Sequence, residues 1–189
     1  MDRIVLASAS PRRAELLRSA GIEFDVMPAH VDETAHGSES AEAYVRRVAE
    51  AKARVIATKA RDRTVLAADT TVVVDSQMLG KPTDDGDAKR MLRLLSGRAH
   101  QVVTGVTVVS GSAITTRVAS TEVEFATLSE EDIAWYVATG EPHDKAGGYA
   151  IQGYASRFVT RIAGSYSNVV GLPIALVYDL LKARPVKTP

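Results

Sequence analysis

Six charged side chains in this chain are placed where they could do chemistry: the cations Arg12, Arg13, Lys52 and Lys81, and the carboxylates Glu33 and Asp69. Arg12 and Arg13 follow Ser10-Pro11 in "SASPRRAELL". Serine is a good N-cap and proline suits the first helical position, so both arginines fall in the first turn of a predicted helix. That end of a helix carries roughly +0.5 of an elementary charge and favours acidic neighbours. Two arginines there are locally unfavourable unless an anion joins them. The plain alternative is a pair of solvated surface arginines.

Lys52 and Asp69 break the patterns around them. The apolar stripe of the helix that contains Lys52 runs through Ala41, Tyr44, Val45, Val48, Val55 and Ile56. Lys52 lies seven residues after Val45, and a heptad of helix leaves an offset of only roughly 20°. The lysine is therefore on the inward face, either with its stem packed and its ammonium in water or aimed into a polar cavity. Asp69 interrupts "TVLAADTTVVVD", an otherwise apolar, β-branched run. Unless the sheet simply ends there, a carboxylate in such surroundings requires a partner, hydrogen bonds or a metal.

Three further positions are weaker. Asp32-Glu33 closes another predicted strand and reads as a solvated turn or as a second acidic position. Lys81 lies on a stiff turn between Gly80 and Pro82. Gln152, in "YAIQG", is a strand-end glutamine or an amide offered to a ligand. The phosphate loops G-x-x-x-x-G-K-[ST] and G-x-G-x-x-G, the metal motif H-E-x-x-H and the G-x-S-x-G elbow are all missing from the sequence. His30, His36, His100 and His143 are scattered without ligand spacing, which argues against a histidine-based hydrolase.

What remains is a set of cations and carboxylates with no conventional nucleophile. Two unit charges 4 Å apart at an effective dielectric of 20 interact by about 4 kcal/mol, so four converging cations need an anion. A polyphosphate would supply it and would relieve the conflict at the first helix, whose N-terminal N–H groups also bind anions. The carboxylates could then hold a divalent ion that bridges phosphate oxygens and lowers the pKa of an attacking water.

The elements that must position these groups follow from periodicity and punctuation. Arg3–Ala7 is a short strand, followed by a helix over Pro11–Ala20 that Gly21 stops. Glu23–Val31 reads as a second strand, with Phe24 and Val26 on one face. His36–Ser40 is a polar loop, and a long amphipathic helix runs from about Glu39 to Lys59, with Glu39 and Glu42 near its start. Val65–Asp75 is a strand, and "MLGKPTDDGDA" is a turn leading into a helix that ends near Gly97. Val102–Val109 and Arg117–Thr127 form a hairpin around Ser110-Gly111-Ser112. Ser129 and Asp132 make a capping box for a helix to about Thr139, stopped by Gly140. "KAGGYAIQG" and "SRFVTRIAG" read as two short strands, and Pro173 starts the last helix. Strand–helix units mixed with hairpins predict a mixed α/β sheet rather than a purely parallel one.

Composition narrows the partners. Lys plus Arg equals Asp plus Glu at 23 each in 189 residues, so no global field draws the chain to nucleic acid or an anionic membrane. There is no cysteine, which rules out disulfides, thiolate metal sites and a cysteine nucleophile. The uncharged stretches near Val102–Thr116 and Ile162–Tyr178 fall short of the ~20 apolar residues of a membrane span. The first 21 residues contain Asp2, Arg3, Arg12, Arg13, Glu15 and Arg18 and so no apolar signal core; a cytoplasmic protein is the expectation.

The chain also closely resembles the Maf family of nucleotide pyrophosphatases. The matching segments are "LASASPRRAELL" (6–17), "VDE" (31–33), "YVRRVAEAKA" (44–53), "AADTTVVVD" (67–75), "LGKP" (79–82), "LSG" (95–97), "DKAGGYAIQG" (144–153) and "NVVGLP" (168–173). They cover essentially the whole chain in the family's order. The resemblance implies one domain over residues 1–189, an elongated mixed β-sheet flanked by helices with a central cleft (Maf/Ham1-like), and commonly a homodimer. It implies hydrolysis of a nucleoside triphosphate to the monophosphate and pyrophosphate, helped by a divalent cation such as Mg or Mn.

By the same resemblance, Asp69 matches the family's proposed general base and Glu33 an essential acid; these two are also the carboxylates that could hold the metal. Ser8, Arg12, Arg13, Lys52 and Lys81 match phosphate-site residues, and Arg12, Thr70 and Gln152 match positions tied to substrate choice. "KAGGYAIQG" with Gln152 is similar to the subgroup acting on dTTP and UTP, where modified pyrimidine nucleotides would fit a housecleaning role. Rival readings are a purine pyrophosphatase of the inosine-triphosphate type and a non-enzymatic regulator of septum formation. Nucleic-acid binding through the arginines is disfavoured by the charge balance.

Overall fold

Side-chain alternation along two neighbouring strands sets up the part of the fold that matters for the site. In the computed structural model, which describes residues 3–183, the first half of the chain runs β1 (Ile4–Leu6), α1 (Pro11–Ser19), β2 (Phe24–Val26), α2 (Ala41–Lys59), β3 (Val65–Val74), β4 (Gln77–Leu79) and α3 (Asp85–Leu95). The second half runs β5 (Ala99–Ser110), β6 (Ala113–Phe125), α4 (Glu130–Ala138), β7 (Val159–Ala163), α5 (Tyr166–Val170) and α6 (Ile174–Lys182). Residues 1–2 and 184–189 of the domain expected over 1–189 lie outside the described part.

The strands form one seven-stranded sheet in the order β2-β1-β3-β5-β6-β7, with β4 paired to β3. β1 pairs in parallel with β2 and β3, whereas β3–β4 and β6–β7 are antiparallel. The mixed, helix-flanked sheet is the one that the order of elements predicts. None of the helices among the described residues is long and apolar enough to cross a membrane.

The chain forms two compact units: residues 3–69, 104–119 and 171–183 in one, and 70–103 and 120–170 in the other. In the first, Ile4 and Leu6 of β1 and Leu66 and Ala68 of β3 pack with Ala14 and Leu17 of α1 and with Val177, Leu180 and Leu181 of α6. The alternate residues, Val5 with Val65 and Ala67, pack with Ala53 and Ile56 of α2. Period-2 alternation places Asp69 in line with Val65 and Ala67, on the α2 side. In the second unit, Leu92 and Leu95 of α3, Phe125 of β6, Ile133 and Tyr136 of α4, and Phe158 make the core.

Several elements depart from the sequence expectations. β2 stops at Val26 rather than Val31; Pro28 follows, and proline cannot donate to a ladder. "KAGGYAIQG" (145–153) is not a strand but a 3-10 turn over Ala146–Gly148 followed by a further turn over 151–153. Gly147 and Gly148 have φ of 71° and 70°, the left-handed region, which breaks an extended run. "SRFVTRIAG" is extended only over Val159–Ala163. The sequence pattern gives no sign of the short β4 and α5; β5 extends past its apolar run at both ends, and β6 begins earlier, at Ala113, and stops at Phe125 rather than Thr127.

Candidate active site

α2 begins at Ser40, whose side chain accepts the Ala43 N–H, and Glu42 lies in its first turn. Both features favour a helix N-terminus. Glu39, expected inside the helix, precedes it and pairs with Arg47 instead. Twelve residues on from Ser40, Lys52 lies in a buried face with Val48, Ala49, Ala53 and Ile56, itself only 7% exposed.

Its ammonium does not snorkel to water. Lys52 Nζ donates to Asp69 Oδ1 at 2.7 Å and lies 2.8 Å from Glu33 Oε1. Asp69 is 5% exposed and sits in the middle of β3, not at a strand end, so its burial is tolerated through the pairing with Lys52. Glu33 comes from the loop before α2 and keeps nearly half of its side chain in solvent. One lysine thus draws a buried and a half-exposed carboxylate to within hydrogen-bond distance of a single nitrogen.

The first helix adds cations on the same unit. Arg13 is buried: its Nε donates to the Gly171 carbonyl at 2.9 Å, and its Nη1 to the Ala68 carbonyl at 2.7 Å and to Ser8 Oγ at 3.2 Å. Burial holds its guanidinium below the ordinary arginine pKa, with Asp69 acting in the opposite direction. The Ala68 carbonyl immediately precedes Asp69, so Arg13 pins the strand at the acid. Ser8 is buried and its hydroxyl also accepts the Ser10 N–H at 3.2 Å. Ser10 has the extended backbone of an N-cap but makes no side-chain cap bond. Arg12 is half-buried in the first turn of α1.

Thr70, Lys81 and Gln152 belong to the second unit. Thr70 is half-buried in β3, and Lys81 and Gln152 are exposed. Within that unit the Gly147 N–H donates to the Gly80 carbonyl at 2.9 Å, tying the Lys81 turn to the glycine-rich segment that leads to Gln152. A Cβ on Gly147 would approach Val72 Cγ2 to 2.8 Å, so only glycine fits this left-handed position. The turn after Gln152 is held by Glu141, whose carboxylate accepts the Tyr136 hydroxyl and the Tyr154 and Ala155 N–H groups.

Sequence reasoning missed Tyr44, which reads as one more apolar-stripe residue. Its hydroxyl donates to the Glu33 carbonyl at 3.0 Å. Burial, with help from Asp69 and Glu33, pushes its pKa up to about 12. The usable signal was an aromatic with a polar tip eight residues before the inward lysine.

Asp69 Oδ2 is a buried carboxylate oxygen without a hydrogen-bond partner, the kind of orphaned acceptor that a cation or a water proton would satisfy. Among the described residues no group of three or more His, Cys, Asp or Glu gathers as a cage. Two carboxylates, completed by phosphate oxygens and waters, suit Mg-type ions, which rarely use all-protein cages. The residues fit a cation shared with a substrate.

A family model described as Maf-like protein matches residues 3–184. The chain belongs to the Maf family. Its Maf relatives include a protein of Anaeromyxobacter sp. (strain Fw109-5) named dTTP/UTP pyrophosphatase, 54% identical over 185 residues that cover 95% of this chain and 88% of the relative. A protein of Koribacter versatilis (strain Ellin345) with the same name is 50% identical over 183 residues, covering 97% and 95%. The solved structure of the Staphylococcus aureus Ham1 protein matches with a TM-score of 0.56 at 16% identity, covering 96% of this chain and 98% of that one. At that identity the likeness is one of fold. In this Maf chain, the segments "YVRRVAEAKA" and "AADTTVVVD" lie on α2 and β3, the elements that bring Lys52 and Asp69 together.

Proposed function

We propose that this chain hydrolyses dTTP and UTP to the nucleoside monophosphate and pyrophosphate. The names of relatives about half identical over nearly the whole chain support the substrate class. The observation that carries the chemistry is the buried Lys52 shared by Asp69 and Glu33, with Asp69 Oδ2 left as an unused acceptor.

Water attacks the α-phosphorus in line with the departing pyrophosphate. Asp69 Oδ2 orients that water and accepts its proton; Asp69 Oδ1, held by Lys52, fixes the carboxylate plane. When triphosphate enters, the Lys52 ammonium keeps its bond to Asp69 Oδ1 and turns another of its three N–H groups towards phosphate. Arg12 and the N-terminal N–H groups of α1 favour the same charge, as helix N-termini do. These are positioning and electrostatic tasks, the main ones in phosphoryl transfer. A divalent cation held by Glu33 and Asp69 would supply charge neutralisation on the phosphates and a lowered pKa for water. For Thr70, Lys81 and Gln152 the proposal rests on the family resemblance: Lys81 on phosphate, Thr70 and Gln152 on the choice of base.

Turnover in ¹⁸O-labelled water tests this reading. The expected products from UTP are UMP and pyrophosphate in equal amounts, with the label in UMP, and loss of activity in chelator. Release of UDP and phosphate, label in pyrophosphate, or a preference for ITP in a substrate panel would overturn it.

A further inference from the structure

Glu33 presents a physical problem. Residues 27–40 contain no helix or strand, and Glu33 lies among exposed neighbours. Its contact with Lys52 is nearly half exposed on the Glu33 side, and a pair so exposed contributes too little to order a loop. Yet the carboxylate meets Lys52 Nζ at 2.8 Å. Something else must fix the backbone.

The fixing contacts come from the first turns of α2. The Tyr44 hydroxyl donates to the Glu33 carbonyl at 3.0 Å. Arg47 Nη2 donates to the Thr34 carbonyl at 2.9 Å. The same guanidinium grips Glu39 in bidentate fashion, Nε to Oε1 and Nη2 to Oε2, each at 2.8 Å. Glu39 Oε2 in turn accepts the His36 N–H at 3.3 Å, and Asp32 Oδ1 accepts the Thr34 N–H at 2.8 Å. The guanidinium carbon lies 5.7 Å from the Tyr44 ring centroid, so the two side chains support one another. Bidentate arginine–carboxylate pairs are the geometrically specific kind, and this one holds the Glu39 carboxyl down at about 2.

We infer that Tyr44 and Arg47 are positioning residues for Glu33: together they clamp the acidic loop so that its carboxylate reaches Lys52 beside Asp69. The inference rests on the reading of Glu33 as a working acid. It adds to that reading a reason why one helix carries both the clamp and the lysine: α2 sets the Glu33 backbone through Tyr44 and its carboxylate through Lys52.

The test is a double-mutant cycle between Tyr44→Phe and Glu33→Gln, read as kcat and KM for dTTP. Single turnover at high enzyme concentration keeps slow variants measurable. Losing one neutral hydrogen bond, expressed in the chemical step, lowers kcat by about fivefold; KM should move less than twofold. In the Glu33→Gln background the same change should do nothing further. Hydrogen exchange provides the second readout: in Tyr44→Phe and in Arg47→Met the Thr34 and His36 amides should exchange faster while the rest of α2 stays protected. An equal kcat loss in both backgrounds, an unchanged kcat in Tyr44→Phe, or unchanged exchange at Thr34 and His36 overturns the inference. Full activity in Glu33→Gln alone instead overturns the role given to Glu33.

Discussion

Replacing Lys52 with methionine keeps the buried stem but strands two carboxylates, and the structure says which one matters. The Asp69 side chain is 7% exposed and the Glu33 side chain 46%. At the 2.7 Å separation of Lys52 and Asp69, Coulomb attraction at an effective dielectric of 20 is about 6 kcal/mol, much of it offset by desolvation. Removing one partner from a buried pair costs about 3–5 kcal/mol, because the other charge is left uncompensated. The half-exposed Glu33 contributes about 0–1 kcal/mol. Asp69 therefore decides the outcome. With a urea slope of about 2–3 kcal/mol per molar, Lys52→Met should lower the unfolding midpoint by more than about 1 M. Adding Asp69→Asn removes the stranded charge, so the double variant should regain most of that stability. A loss below about 1 kcal/mol for Lys52→Met, or a double variant less stable than the single one, would refute the reasoning.

Three further outcomes follow from other parts of the fold. His100 is buried against Tyr149, 2.8 Å from its hydroxyl, and burial lowers its pKa from 6.5 to about 4. The unfolded chain therefore takes up the proton first, and stability present above pH 6.5 is lost as pH falls towards 4, by about 3 kcal/mol; urea unfolding of wild type and His100→Asn should show this loss only in the wild type. A Cβ on Gly105 would lie 2.4 Å from the Val45 carbonyl of α2, so Gly105→Ala should destabilise by about 3 kcal/mol in thermal unfolding; an unchanged Tm contradicts the packing. Glu141→Gln presents an amide to the donors that the carboxylate now accepts and should cost about 1–3 kcal/mol, with faster exchange of the Tyr154 and Ala155 amides as the check.

The residues that could be read from the sequence were those whose surroundings were periodic. Lys52 in a helical stripe and Asp69 in a β-branched run violate patterns that have only two solutions each, and the structure resolves both: a buried ammonium and a mid-strand acid. The two arginines stand out in the sequence as a conflict, but its resolution does not. Arg13 is satisfied by the Ala68 and Gly171 carbonyls, the second of them 158 residues away in sequence, and no local signal encodes a contact that distant. In "KAGGYAIQG" the apolar content suggests a strand, while two consecutive glycines permit the left-handed turn that forms. The clamp on Glu33 was hidden for another reason. Tyr44 reads as one more apolar-stripe residue and Arg47 as an ordinary helix-surface residue until a loop without periodicity folds back over them.

The central claim is that the Asp69 carboxylate, held by Lys52, serves the attack of water on a pyrimidine nucleoside triphosphate. Pyrophosphate release from dTTP and UTP by Asp69→Asn, a change that keeps the size of the side chain, tests it most directly, with circular dichroism confirming the fold. The account predicts a folded protein with turnover lowered by at least about a hundredfold, the lower range for a positioned acid–base group. A folded Asp69→Asn variant that turns over dTTP at a rate near that of the wild type would contradict it.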